Sequence, residues 1–194
     1  MPRRSPDYLE ARRDELLAAS QRAFARHGYE GTTIAILEGE CGVSRGAIFN
    51  YWPTKLAIFL ELAERDAQRL TQDAAAAATP AEAFRQMMRM VDQEREWLRV
   101  YLEALRVIRR DPELWQRWVE RPDRQRARWV EAVARWKAAG SVRADLDAEA
   151  ALTLLFVLLD GLVLHVAISP DAALGDYDTL PALIAIALES PATG

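Results

Sequence analysis

Apolar residues recur at three- and four-residue steps through one segment of the chain after another, the spacing that places them on one face of a helix. A first helix is predicted from Tyr8 to His27, with Leu9, Leu16, Ala23 and Phe24 along it, Arg12, Arg13, Arg22 and Arg26 on its wet side, and Gly28 closing it. Two short helices follow, one carrying Ile34, Leu37 and Cys41, the other Ala47, Ile48 and Tyr51 or Trp52. Thr54 opens a long fourth helix running to about Ala78, with Leu56, Phe59, Leu60, Ala63, Ala67 and Leu70 as its apolar side. Thr79-Pro80 supplies a cap and a first-turn proline for a fifth, striped by Phe84, Met87, Met88 and Val91, and the next stripe is Trp97, Val100, Tyr101, Ala104, Leu105 and Ile108. Asp111-Pro112 opens a tryptophan-rich segment that Gly140 ends and that Pro122 kinks or splits. The most apolar helix starts at Asp145 to Ala148, and a last one runs from about Leu180 to Leu188. The fold class is all-α, with about nine helices.

The second and third of these helices form a unit. Thr32 or Thr33 can cap the first of the pair, and Gly42 ends it, because glycine accepts the left-handed backbone that a sharp turn needs. Ser44 caps the second and Pro53 stops it. Two helices joined by a glycine turn make a helix-turn-helix, which lays its second helix in the major groove of DNA. Residues Ser44 to Trp52, Gly46 included, would then occupy the groove. Arginine can pair with guanine, asparagine with adenine, and an apolar side chain can touch a thymine methyl, so Arg45, Ala47, Phe49 and Asn50 are the candidate base readers. Such a bidentate pair discriminates bases by about 1 to 3 kcal/mol. Thr33, Tyr51 and Lys55 bracket the helix with a hydroxyl, a phenol and an ammonium, the groups that hold a protein on phosphates.

The run from Phe24 through Lys55, with AFARHGYEGTT, CGVSRGAIFNYW and PTK, resembles the N-terminal domain of the TetR family of bacterial transcriptional regulators. The resemblance implies a homodimer with a DNA-binding domain at 1–55 and a helical effector-binding and dimerisation domain at 56–194. It implies a palindromic double-stranded DNA operator, most often repressed, and release by a small effector. The run LFVLLDGLVLHVAI resembles the family's eighth helix, whose pairing with the ninth forms the dimer interface. Leu152, Leu155, Phe156, Leu159, Leu162, Val163, Val166, Leu183, Ile184 and Ala187 are the interface residues so implied. The fourth helix would link head and body. Three positions depart from the family pattern: Phe49 stands where tyrosine is frequent, Glu38 where alanine is usual, and Ile36 where a polar residue is usual. A buried carboxylate needs a partner, so Glu38 is expected to pair with Arg45 or another nearby cation. Together with Gly39, which weakens its helix, Glu38 and Phe49 motivate an alternative reading, a helical ligand-binding protein whose head has lost operator affinity.

Charge and composition narrow the picture further. The formal net charge is -4, but residues 1–55 hold eight basic and seven acidic side chains, against 17 and 22 in the remainder. A slightly basic head on an acidic body suits a chain that touches DNA at one end. Arg3 and Arg4 lie in an N-terminal arm that either reaches DNA or is a solvated tail. Six tryptophans and four methionines are many for 194 residues. Met87, Met88, Trp97, Tyr101, Trp115, Trp118 and Trp129 either line an apolar cavity for a hydrophobic or aromatic effector or build plain core. His165 is a pocket or interface residue, or a satisfied core histidine. No catalytic, cofactor or metal set is expected: the chain has two histidines, one cysteine (Cys41), no metal-ligand spacing and no Gly-rich phosphate loop. The single cysteine excludes an internal disulfide and suits the cytoplasm. No secretory leader is expected, because no apolar stretch follows Arg3 and Arg4, and no membrane span, because Asp160, Gly161 and His165 interrupt the apolar segment Ala148 to Ile168.

Overall fold

The computed structural model describes residues 6–119, 124–169, 171 and 179–189. These hold ten helices: α1 Pro6–Gly31, α2 Ile34–Cys41, α3 Arg45–Phe49, α4 Lys55–Ala75, α5 Pro80–Gln93, α6 Arg95–Arg110, α7 Pro112–Val119, α8 Arg124–Ala138, α9 Ala148–Ile168 and α10 Thr179–Leu188. There is one more than expected, because the tryptophan-rich segment is two helices, α7 and α8. Pro122 and the arm with Arg3 and Arg4 lie outside the described residues. Gly28 breaks the helical path inside α1 at φ 71°, so the regular part ends at His27 as its sequence predicts.

The chain divides into two compact units. One comprises residues up to Arg65 together with Arg99–Trp118, the other Asp66–Leu98 with the residues from Val119 onward. The division therefore falls within α4, within α6 and at the end of α7. In α4 the reason is that the helix continues to supply core beyond the helix-turn-helix: Ile58, Phe59, Leu62 and Ala63 are buried with Leu16, Leu17 and Phe24 of α1.

In the second unit the α5 stripe of Phe84, Met87, Met88 and Val91 packs against α9 and α10, while α8 covers α9. Thr79 and Asp147 cap α5 and α9 by accepting the Glu82 and Ala150 N–H groups, which satisfies donors that a helix start leaves unpaired. Trp129 meets Phe156 edge to face at 5.7 Å. The buried Trp136 indole donates to the Ala77 carbonyl at 2.7 Å, closing the α4–α5 corner over the core. Glu189 holds the end of α10 on the start of α5 by accepting the Ala81 N–H at 3.0 Å.

The apolar helices differ from expectation in two ways. Asp160 and Gly161 do not interrupt α9, which is continuous and, by length and composition alone, apolar enough to cross a membrane. Its inner face is nevertheless committed to the core against α5 and α8. Of the ten residues implied as a dimer interface, Leu152, Leu155, Leu159, Leu162, Val166 and Ile184 are buried in that same core and offer no surface to a second chain. Phe156 and Val163 are half-buried and Leu183 and Ala187 exposed. The free apolar stripe lies on the other side of the helices, at Val157, Leu164, Ile168, Leu183 and Ile186. His165 belongs to that exposed side and is not a core histidine.

Replacing Trp136 by alanine removes a fully enclosed ring and leaves the Ala77 carbonyl without its donor. The expected loss is about 3 to 5 kcal/mol, read from the urea midpoint at unchanged slope, whereas Val130→Ala on the exposed side of α8 stays within about 0.5 kcal/mol of the unaltered chain.

Candidate nucleic-acid interface

The turn between α2 and α3 is built from local rules. Thr32 is fully buried and gives its hydroxyl to the Gly28 carbonyl at 2.6 Å, so it is Thr33 that caps α2, accepting the Ile36 N–H at 3.3 Å. Gly42 adopts φ 63°, ψ 30°, a left-handed conformation suited to glycine. Ser44 caps α3 by accepting from Ala47 at 3.4 Å. The helix then runs five residues, with Ile48 buried beneath it, and continues through a turn in which Tyr51 and Trp52 both donate to the Ile48 carbonyl. Ser44, Arg45, Gly46 and Asn50 are exposed on its outer side, Ala47, Phe49 and Tyr51 are half-exposed, and Thr33 is exposed at the start of α2.

Glu38 has a partner, but a different one from that expected. Its carboxylate accepts the backbone N–H of Arg45 at 2.6 Å, adding a second acceptor to the start of α3. The Arg45 guanidinium is left to lie over the Phe49 ring, 5.1 Å from its centroid. The base-reading group is therefore not held by Glu38, and the carboxylate orders the helix that carries it.

Behind α3, Glu61 of α4 gathers donors from three elements. It accepts the Trp52 indole N–H at 2.6 Å, the Arg13 Nε of α1 at 2.8 Å with a second bond from Arg13 Nη2, and Arg65 at 3.2 Å. Arg13 also covers the Trp52 ring at 5.3 Å. Burial opposes the Glu61 charge, yet the Arg13 and Trp52 hydrogen bonds and the two cations outweigh it, so the carboxyl titrates below its usual range. A cleft of about 980 Å³ opens beside this node, lined by residues of α1, α3 and α4 that include Ala47, Asn50 and Tyr51. Sequence spacing places Arg12 and Arg13 on the wet side of the first helix without a role, and the one signal for Glu61 is a carboxylate set between Leu60 and Leu62 in the apolar run of α4.

Lys55 is turned inward. Its ammonium donates to the Tyr29 carbonyl at 2.6 Å and lies 4.5 Å from the centre of the Tyr29 ring, and burial lowers its pKa. On the other side of the same loop, Glu103 of α6 accepts the Tyr29 N–H at 2.7 Å. Gly28 makes that approach possible, because a Cβ there would meet Glu103 Oε2 at 2.7 Å. Burial pushes the Tyr29 phenol up to about 12.

Of the seven residues expected around an effector cavity, Met87, Met88, Trp97 and Trp129 are buried in the second unit; Tyr101, Trp115 and Trp118 belong to the first, where the Tyr101 and Trp118 rings meet at 5.8 Å and Trp115 is exposed under Arg109. A cleft of about 490 Å³ in the second unit is lined instead by Gln72, Asp73, Ala76, Gln86, Arg89, Met90 and Gln93.

Two stability measurements follow from these contacts. Glu38→Ala is expected to cost about 0.5 to 2 kcal/mol, the range for losing a helix cap, while Glu38→Gln keeps an acceptor and most of that stability in thermal unfolding. For Glu61, a folded-state pKa below the unfolded value means that its stabilisation is fully present above the ordinary carboxylate pKa and disappears as pH falls through the lowered one. The difference in unfolding free energy between the unaltered chain and Glu61→Gln is thus expected near neutrality and to vanish in acid; a difference independent of pH contradicts the assignment.

Comparison with known proteins agrees with the geometry. Residues 16–62 match the pattern described as "Bacterial regulatory proteins, tetR family", and residues 80–189 match "BetI-type transcriptional repressor, C-terminal". The chain is 36% identical to the HTH-type transcriptional repressor Rv1474c of Mycobacterium tuberculosis over 88% of its own length and 90% of that protein's. It is 34% identical to the HTH-type transcriptional repressor AcnR of Corynebacterium diphtheriae over 98% and 96%. In fold it is similar to a TetR transcription regulator from Haloarcula marismortui, with a TM-score of 0.73 at 19% identity over 93% of this chain and all of that one. With a capped helix-turn-helix at one end and matches along both head and body, the chain belongs to the TetR family of bacterial transcriptional regulators.

Proposed function

We propose that the chain is a cytoplasmic homodimeric repressor that lays α3 in the major groove of a palindromic operator and is released by a small apolar effector. The observation that carries the reading is the doubly capped start of α3, which presents Arg45, Gly46 and Asn50 outward from a buried Ile48. Arg45 and Asn50 read base edges, Ala47 and Phe49 offer apolar contact, and Thr33 and Tyr51 position the head on phosphates. Lys55 joins them only by leaving the Tyr29 carbonyl. The reading of an impaired head loses its main motive, because the Glu38 carboxylate has a hydrogen-bond partner that stabilises α3.

The second copy covers the exposed apolar side chains Val157, Leu164 and Ile168 of α9 and Leu183 and Ile186 of α10, which water would otherwise meet. Half-sites would then lie about one helical turn, roughly 34 Å, apart or somewhat more. The effector reading narrows to Met87, Met88, Trp97 and Trp129, where flexible thioethers beside large rings can rearrange around an apolar molecule.

Selection of bound fragments from the source genome by the purified chain is expected to recover a palindrome. Arg45→Ala is expected to weaken binding by about 1 to 3 kcal/mol and to relax one base position, and Tyr51→Phe to weaken it evenly across sequences. Recovery of no sequence above background contradicts the proposal. Ile186→Glu is expected to give a monomer in sedimentation velocity, whereas a dimer that survives it places the interface elsewhere.

A further inference from the structure

The cleft beside α3 is lined by three arginines, each in an ion pair within the head. Arg12, Arg13 and Arg65 line it together with Asn50 and Tyr51. Two of these guanidiniums tie α1 to α4, Arg13 bonding Glu61 and covering Trp52, and Arg65 bonding Glu61 and Asp14 at 2.6 Å. Arg12 differs. Its partner among the described residues is Glu15, one turn along the same helix at 2.6 Å, and both side chains are solvent-exposed at 34% and 64%. The Tyr51 side chain shares the cleft lining with Arg12 and Arg13.

We propose that Arg12, on α1 and outside the helix-turn-helix, is a further phosphate contact that seats the DNA backbone against this cleft beside Tyr51. An exposed ion pair three residues apart contributes little and exchanges readily. A phosphodiester oxygen offers the guanidinium a charge-assisted bond that the Glu15 carboxylate offers no better, and it brings the Tyr51 phenol and the Asn50 amide into reach of the same backbone. Of the carboxylates lining the cleft, Glu61 is already neutralised by Arg13 and Arg65, which leaves Glu10 as the opposing charge. The consequence is that each head is anchored on both sides of α3, by Thr33 at the start of α2 and by Arg12 and Tyr51 at the far end.

The inference rests on the DNA-binding reading, and a salt titration separates the two. Fluorescence anisotropy of the full chain is measured over a salt series against a fragment recovered from the genome and against a mixed-sequence duplex. Arg12→Ala is expected to weaken binding to both duplexes and to lower the slope of log affinity against log salt by roughly 0.9 per head, the value for one lost phosphate contact. Arg12→Lys restores most of the slope, and Arg143→Ala, which breaks an exposed ion pair in the other unit, leaves it unchanged. An Arg12→Ala slope equal to that of the unaltered chain overturns the contact while leaving the DNA-binding reading intact. Salt-independent binding, or none, by the unaltered chain overturns both. Melting temperatures within a degree or so of each other, expected for an exposed site, show that the variants remain folded.

Discussion

Glu61 accepts hydrogen bonds from the first helix, from Trp52 just past the third and from its own helix, and that one carboxylate ties the trailing end of α3 to the rest of the head. Five residues of helix cannot hold themselves together in water, because a single turn fixes more backbone freedom than its hydrogen bonds return. α3 is stable only as part of a packed head. Ile48 anchors it from below, Trp52 anchors its trailing end through the indole N–H, and Arg13 closes over the Trp52 ring while bonded to the same carboxylate. Removing the acceptor would release the tryptophan and leave the Arg13 guanidinium without its half-buried counter-charge.

The front of α3 is held by a separate and more local arrangement. Ser44 and Glu38 supply acceptors for N–H groups that a helix start leaves unpaired. Because Glu38 bonds to the backbone, the Arg45 side chain remains on the surface against Phe49. Behind this, the Gly28–Glu30 loop is gripped from two sides, its Tyr29 N–H by Glu103 and its Tyr29 carbonyl by Lys55. The head is thus ordered by a few charged groups bonded to backbone or to one another, with an aromatic core of Phe24, Tyr29 and Phe59 between them.

Most of the helices, the caps at Thr79 and Ser44, and the glycines at 28 and 42 were legible in the sequence because each follows from residues a few positions apart. What was not legible depends on distance along the chain or on phase around a helix. Glu61 lies 48 residues from Arg13, and nothing local announces their pairing. Lys55 follows the helix-turn-helix, where its spacing suggests a phosphate contact, and nothing local announces that its ammonium reaches a carbonyl 26 residues earlier. α9 is apolar nearly all round, so its sequence carries no phase, and the residues taken for a dimer surface are mostly its core face. The spacing of the aromatic residues does not tell which of them stay at the surface, as Trp115 does under Arg109.

The most direct measurement of the account is a double-mutant cycle on DNA affinity between Glu61→Gln and Trp52→Phe, made near neutral pH with each variant's folded state verified. If Glu61 positions α3 through the Trp52 indole, the two losses are strongly non-additive, and the double variant binds little worse than the weaker single one. Additive losses would mean that the two side chains act independently, and that the carboxylate at the centre of the head is not what holds the DNA-reading helix in place.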